Sequence, residues 1–158
     1  MTPSKKAARA KPTRPAKATK PRSPGSDAEA HARRAADWDP KLVARLRKLC
    51  LAYPEVVEVE QFGGPWFKAG KKAFCAYGAE SEKVDGAWRG RDGASFSVSL
   101  MDQSELVKDP RFGRTHYIGH HGWTTMRFEG AVDWDEVVEL VDIAYRRAAN
   151  RRMLSRLD

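Results

Sequence analysis

Cysteine is scarce in this chain of 158 residues, which contains only Cys50 and Cys75. Two cysteines so far apart provide neither a disulfide framework nor the C-x-x-C spacing of many metal and redox sites. Both lie among apolar residues, so we expect buried and reduced thiols. Such cysteine usage is typical of a reducing cytoplasm.

Long hydrophobic runs are also missing. No apolar run approaches the roughly 20 residues that a membrane-spanning helix needs. The N-terminus lacks the apolar segment of a secretory signal peptide. We therefore expect a cytoplasmic protein with no membrane partner.

Acidic and aromatic residues are absent from the first 26 residues, which hold eight of the 29 lysines and arginines. The other 21 balance the 21 aspartates and glutamates, so the net charge of +8 belongs to this segment. The eight cations are Lys5, Lys6, Arg9, Lys11, Arg14, Lys17, Lys20 and Arg22. A segment so poor in apolar surface cannot offset its conformational entropy by burial. We predict a disordered basic tail and linker over residues 1–36, followed by a domain over residues 37–158.

Helical periodicity predicts three helices in the domain, over residues 39–54, 102–110 and 133–154. Each of them begins with an aspartate, whose carboxylate can accept hydrogen bonds from the first free backbone N–H groups. Pro40 suits the first turn of the first helix, and Pro54 ends that helix.

Alternating apolar residues predict about five strands, and a polar, glycine-rich stretch at residues 78–93 predicts a long loop. The predicted strands lie at residues 57–62, 94–101 and 123–129, with two more inside 65–77 joined by a tight turn. The order is one helix, four strands, a short helix, a strand and a long helix. This order indicates an α+β domain in which an antiparallel sheet packs against helices.

Several short motifs of the domain together resemble the MmcQ/YjbR family. They are the Pro54-Glu55 helix exit, Gly64-Pro65-x-Phe67-Lys68 followed by Gly70-Lys71, the Gly122-Trp123 strand entry and the Trp134 helix. The resemblance covers about residues 42–150. It implies a fold similar to a double-wing DNA-binding motif, and family members are generally named as DNA-binding proteins. The basic tail and the long loop depart from the family pattern.

Three short stretches of the domain supply candidate contacts to nucleic acid, because lysine and arginine pair with phosphates and tryptophan stacks on bases. The candidates are Lys68, Lys71 and Lys72 at the hairpin turn, Trp88, Arg89 and Arg91 in the glycine-rich loop, and His120 and His121. The alternative for each stretch is an ordinary solvated loop.

Three of the four histidines fall in "HYIGHHGW", residues 116–123. Zinc needs three or four convergent ligands, but two glycines interrupt the run and no cysteine lies nearby. We expect a loop that enters a strand, with Tyr117, Ile118 and Trp123 packed inward and the histidines at the surface.

The sequence therefore predicts a non-enzymatic protein that binds DNA with low sequence specificity, mainly through its basic tail. No catalytic residue, cofactor or metal ligand is predicted, and the oligomeric state is left open. Two alternatives remain: a small protein- or ligand-binding module with a solubilising tail, and a metal-dependent enzyme built on His116 to His121.

Overall fold

One antiparallel sheet organises the residues that the computed structural model describes, 37–79 and 92–157. It has six strands in the order β1-β2-β3-β4-β6-β5. The strands are β1 (Val56–Gln61), β2 (Gly64–Ala69), β3 (Lys72–Tyr77), β4 (Gly93–Ser97), β5 (Phe112–Arg114) and β6 (Trp123–Arg127). All neighbouring strands run antiparallel, which confirms the predicted α+β class.

Within residues 37–79 and 92–157, four helices accompany the sheet. They are α1 (Pro40–Leu51), α2 (Leu100–Leu106), α3 (Trp134–Ala148) and α4 (Arg151–Ser155), with a 3-10 turn at Gly119–His121. Helices α1 and α3 pack on one face of the sheet and enclose the hydrophobic core there. We name this side the helix face. Its strand side chains include Phe67, Cys75, Phe96 and Met126, all 1% exposed or less.

Two of the predicted helix starts are confirmed. The Asp39 carboxylate accepts the Lys41 N–H at 2.9 Å and begins α1, which ends at Leu51, three residues before Pro54. The Asp133 carboxylate accepts the Glu136 N–H at 3.2 Å and begins α3.

The predicted start of the short helix was wrong by two residues. Helix α2 begins at Leu100 because the Ser99 hydroxyl accepts the Asp102 N–H at 3.0 Å. The preceding strand therefore ends at Ser97, four residues before the predicted end at residue 101, and Leu100 is 59% exposed. Serine is as good an N-cap as aspartate, so the earlier of two candidate caps took the position.

The predicted long final helix is two helices. Helix α3 ends at Ala148, and Asn150 begins α4 by accepting the Met153 N–H at 2.9 Å through its side chain. Asparagine competes well for an N-cap position, which interrupts the helical periodicity. Arg151 and Arg152 consequently belong to α4, so they do not complement the dipole at the end of α3.

The second strand after the β2–β3 hairpin, β5, was not predicted from the sequence because three residues are too few for an alternating pattern. Its Phe112 is 1% exposed and pairs with Met126 of β6.

The two cysteines behave as predicted, since both are free and buried. Burial, together with the neighbouring Cys50 side chain, raises the pKa of the Cys75 thiol well above its usual value. A thiol in this environment is a poor nucleophile. Among residues 37–79 and 92–157, no helix is both long and apolar enough to cross a membrane.

Candidate functional site

We name the side of the sheet opposite α1 and α3 the outer face. Ser95 and Thr125 on this face are fully buried, and their hydroxyl groups lie 2.7 Å apart. The Thr115 hydroxyl lies 2.9 Å from that of Thr125. Thr115 begins a segment over residues 115–122, which we name the connector. These contacts indicate that the connector starts on the outer face.

Gln103 of α2 holds the far end of the connector. Its side-chain amide donates to the carbonyl of Gly119 at 2.8 Å and to that of Trp123 at 2.9 Å. The Gln103 carbonyl oxygen in turn accepts from Arg114 at 3.3 Å. Gln103 is 2% exposed, so all of its polar atoms find partners inside the protein. This role could not be predicted from the sequence, because a lone glutamine fits no motif.

A cavity of about 240 Å³ lies between the connector and the end of the sheet where β1 turns into β2. Its aromatic lining comes from Trp38, Phe62, Trp66, Tyr77 and Tyr117. We name this cavity the aromatic pocket. Trp66 is half-buried, and its ring centroid lies 5.4 Å from that of Trp123 and 5.9 Å from that of Phe62. The pocket is therefore preformed and mostly apolar, as ligand pockets usually are.

Trp38 closes one end of the aromatic pocket, where two glycines make room for its ring. A Cβ built on Gly64 would lie 2.7 Å from the Trp38 ring, and one built on Gly78 would lie 1.9 Å from it. The Trp38 ring also meets Tyr77 edge-on, with the centroids 5.4 Å apart. The position of the Trp38 ring therefore requires glycine at residues 64 and 78, because any larger side chain would overlap the ring.

Two residues at the rim of the aromatic pocket have an unusual backbone. Phe62 has φ +53° and Tyr117 has φ +68°, a region that costs about 1–3 kcal/mol for residues other than glycine. Among the described residues, Glu55 is the third such case, so two of three belong to this pocket. Tyr117 is 94% exposed, which contradicts the predicted inward packing, whereas Ile118 is half-buried and Trp123 is buried as predicted.

The other end of β2 and β3 carries a group of positive charges. A Cβ built on Gly70, in the β2–β3 turn, would lie 2.6 Å from the terminal methyl group of Met153. Helix α4 therefore packs against this turn. The cations in and next to these two segments, which are about 80 residues apart in the chain, are Lys68, Lys71, Lys72, Arg151, Arg152 and Arg156. We name this group the basic end.

One carboxylate lies within the basic end. Glu55 accepts from Arg152 at 2.8 and 2.9 Å and from Arg156 at 3.1 Å. Across the described ranges, Lys71, Lys72 and Arg151 form no ion pair, and all three are exposed. Glu55 thus pairs with two of the six named cations, so the summed formal charge of Glu55 and these cations is positive.

Residues 51–147, more than half of the chain, match the family model described as YjbR. The chain belongs to the YjbR family. A Deinococcus radiodurans protein described by the domain DUF419 has a similar solved structure, with a TM-score of 0.54, 17% identity, and coverage of 73% of this chain and 86% of that one. A Pseudomonas syringae protein matches with a TM-score of 0.49 and 15% identity, over 60% of this chain and 88% of that one. No curated protein sequence matches the chain.

The match to the family model spans the connector and the β2–β3 turn of this YjbR protein. It ends at residue 147, before α4 begins, so the arginines of α4 lie outside the matched range. The basic end therefore combines family positions with positions beyond them.

The predicted histidine contacts lie across β4 from the lysines of the β2–β3 turn. His120 and His121 are exposed in the 3-10 turn, with ring centroids 3.9 Å apart, as the predicted surface position requires. Strands β3 and β6 both run antiparallel to β4, so the turn lies at the same end of the sheet as Lys72 but across β4 from it. His116 is half-buried at the aromatic pocket. No group of three or more potential metal ligands occurs among the described residues.

The remaining predicted contacts lie outside the described residues. They are the eight cations of the tail and Trp88, Arg89 and Arg91 of the glycine-rich loop. Their roles stay predictions from sequence.

Proposed function

We propose that this YjbR-family protein binds DNA with little sequence preference and catalyses no reaction. The observation that carries the proposal is the basic end, where α4 packs against the lysine-bearing β2–β3 turn and Glu55 binds Arg152 and Arg156. Lysine and arginine contacts to phosphates supply affinity that does not depend on base sequence. The double-wing arrangement implied by the family resemblance stays a prediction.

The tail supports the same function from the sequence. It adds eight cations and no acid to a domain whose formal charges balance. If all eight contacted duplex phosphates, the slope of log affinity against log salt would gain about −7 from the tail alone. The tail thus supplies most of the electrostatic attraction, and the basic end gives the folded domain a defined contact with the bound DNA.

Charge reversal at the β2–β3 turn tests the proposal. The double variant Lys71→Glu/Lys72→Glu should bind duplex DNA more weakly, with a salt slope smaller by about 2, because two phosphate contacts are lost. The measurement is an affinity titration between about 50 and 200 mM salt.

The matched control is Lys41→Glu/Lys108→Glu, which changes the net charge equally at two exposed lysines on α1 and after α2. The control should keep a slope closer to that of the wild type. Equal losses in the two double variants would mean that only net charge matters, and the basic end would have no special role.

A small-ligand module is the second candidate, because the aromatic pocket is preformed and apolar. That function predicts no salt-sensitive retardation of DNA at about 50 mM salt. Robust retardation under those conditions would argue against it.

A further inference from the structure

We infer that the aromatic pocket receives one unpaired base of the bound strand, which makes single-stranded DNA, or duplex DNA with an unpaired base, the preferred ligand. This inference rests on the proposed DNA binding and specifies which form of DNA the site takes. It draws on the size, lining and position of the pocket.

The size of the pocket limits its occupant. Its volume of about 240 Å³ lies below the roughly 300–1,000 Å³ of pockets for drug-sized ligands. There is room for one planar ring system with little else, which excludes a dinucleotide cofactor. A single nucleobase fits this limit.

The lining of the pocket suits a flat ring. Trp66 is held on one side by Trp123 and keeps part of its surface accessible, so it offers a fixed stacking surface. Trp38 is fixed against Gly64 and Gly78. Stacking of a base on such rings contributes about 1–3 kcal/mol and tolerates all four bases. The pocket therefore adds affinity without sequence preference.

Tyr117 is the residue that most needs an explanation. Its ring is 94% exposed, and its backbone has a positive φ although it is not glycine. Exposed aromatic surface and a strained backbone both cost free energy in the free protein. A base bound at the pocket rim would cover this ring, which accounts for its position. Gln61 also lines the rim and offers an amide donor and acceptor to a base edge.

Charge complementarity points to a ring that carries phosphate. Among the described residues that line the pocket, none is an aspartate or glutamate. In the sequence, eleven residues separate the basic segment over residues 1–26 from Trp38, which lines the pocket. A neutral apolar ligand would gain nothing from these cations, whereas a nucleotide strand would.

The basic end is within reach of the same strand. The pocket lies where β2 begins and β3 ends, and the basic end lies where β2 ends and β3 begins. Six strand residues span roughly 17 Å at about 3.3 Å per residue. At the axial rise of about 3.4 Å per nucleotide that a strand has in duplex DNA, about five nucleotides cover that distance, and a more extended single strand needs fewer. One short single strand can therefore contact both regions.

The test compares three ligands with the full-length protein: an oligothymidylate of about 12 nucleotides, an abasic strand of the same length, and the matching duplex. The abasic strand keeps every phosphate and removes every base. We expect the base-bearing strand to bind about 5- to 150-fold more tightly than the abasic one, the equivalent of one to three kcal/mol for one stacked base.

The variant Tyr117→Asn reports on the pocket without a folding risk, because the residue is exposed and asparagine tolerates a positive φ. It should lose about fivefold or more in affinity for oligothymidylate and nothing for the abasic strand. Met101→Gln is the control, since Met101 is a 77% exposed apolar residue of α2 and does not line the pocket. It should bind all three ligands as the wild type does.

Three results would overturn the inference. Equal, salt-sensitive binding of the abasic and base-bearing strands would remove the base from the pocket and leave the proposed DNA binding intact. Equal affinity for thymidine monophosphate and for oligothymidylate would make the pocket a small-ligand site. Failure of every strand to bind at about 50 mM salt would end the proposed function and the inference together.

Discussion

Asp92 connects the start of α1 to the sheet through three hydrogen bonds. Its carboxylate accepts from the Tyr77 hydroxyl at 2.5 Å and from the Asp39 N–H at 3.0 Å, while its carbonyl accepts from the Phe128 N–H at 2.9 Å. These bonds hold the start of α1 beside the sheet, next to Trp38. Burial, followed by the hydrogen bond to Asp92, raises the pKa of Tyr77 far above its usual value.

Stability should therefore fall in alkali. Burial also raises the pKa of Tyr53, which donates to Asp142 at 2.8 Å, and that of Tyr145. The unfolded chain loses these protons near pH 10, whereas the folded protein keeps them to higher pH. Their stabilising contribution is full below about pH 10 and is lost as the pH rises above it. Urea denaturation at about pH 8 and 10.5 should show a drop in the free energy of unfolding.

Tyr77→Phe tests the contribution of one hydroxyl. It should cost about 1.5–3 kcal/mol at neutral pH, because a buried charged acceptor loses a partner. The alkaline drop should also become smaller in this variant. Tyr117→Phe is the control, since that hydroxyl is on an exposed ring and should change neither quantity. An unchanged alkaline drop in Tyr77→Phe would show that Tyr77 is not a source of the effect.

At the scale of elements, α4 contributes Arg151 and Arg152 to the basic end. It has only five residues, so its own hydrogen bonds cannot hold it in place. Asn150 caps it, Met153 packs on Gly70, and Arg152 binds Glu55. Through these contacts, a short helix places its arginines beside the lysines of the β2–β3 turn.

Removal of the cap should weaken this element. Asn150→Ala should lower the free energy of unfolding by about 0.5–2 kcal/mol, since the Met153 N–H loses its acceptor. Asn150→Ser keeps an acceptor and should cost much less. Chemical denaturation of the two variants gives the comparison, and equal losses would mean that the Asn150 side chain does not act as a cap.

At the scale of the whole molecule, charge is divided between two parts of the chain. The first 26 residues carry the entire net charge of +8, and the remaining residues balance. A neutral domain is a weak attractor of DNA by itself. The proposed binding therefore depends on the tail for long-range attraction.

Replacement of the eight tail cations by glutamine measures this division in a chain of unchanged length. The salt slope for duplex DNA should become smaller by up to about 7, and the free energy of unfolding should not change. Replacement of the two lysines at the β2–β3 turn should change the slope by only about 2. If the variant without tail cations kept the salt slope of the wild type, the electrostatic attraction to DNA would come from the domain.

The sequence by itself determined most of the elements and the charge partition. Asp39 and Asp133 begin helices because a cap needs only its own side chain and the next few N–H groups. At Ser99, a second good cap stood three residues before Asp102 and the pattern did not rank the two. At Asn150, a cap fell inside a stretch that kept its helical periodicity, so the break between α3 and α4 was missed. Net charge is additive, so the composition was sufficient to place it in the tail.

Tertiary structure alone decided the two candidate surfaces. The basic end exists because Met153 meets Gly70, and the aromatic pocket exists because Trp38 lies on Gly64 and Gly78. The exposure of Tyr117 likewise depends on how the connector crosses the outer face. These contacts join residues far apart in sequence, and their energy comes from packing of complementary shapes. No local pattern encodes that complementarity, so only the folded chain reveals it.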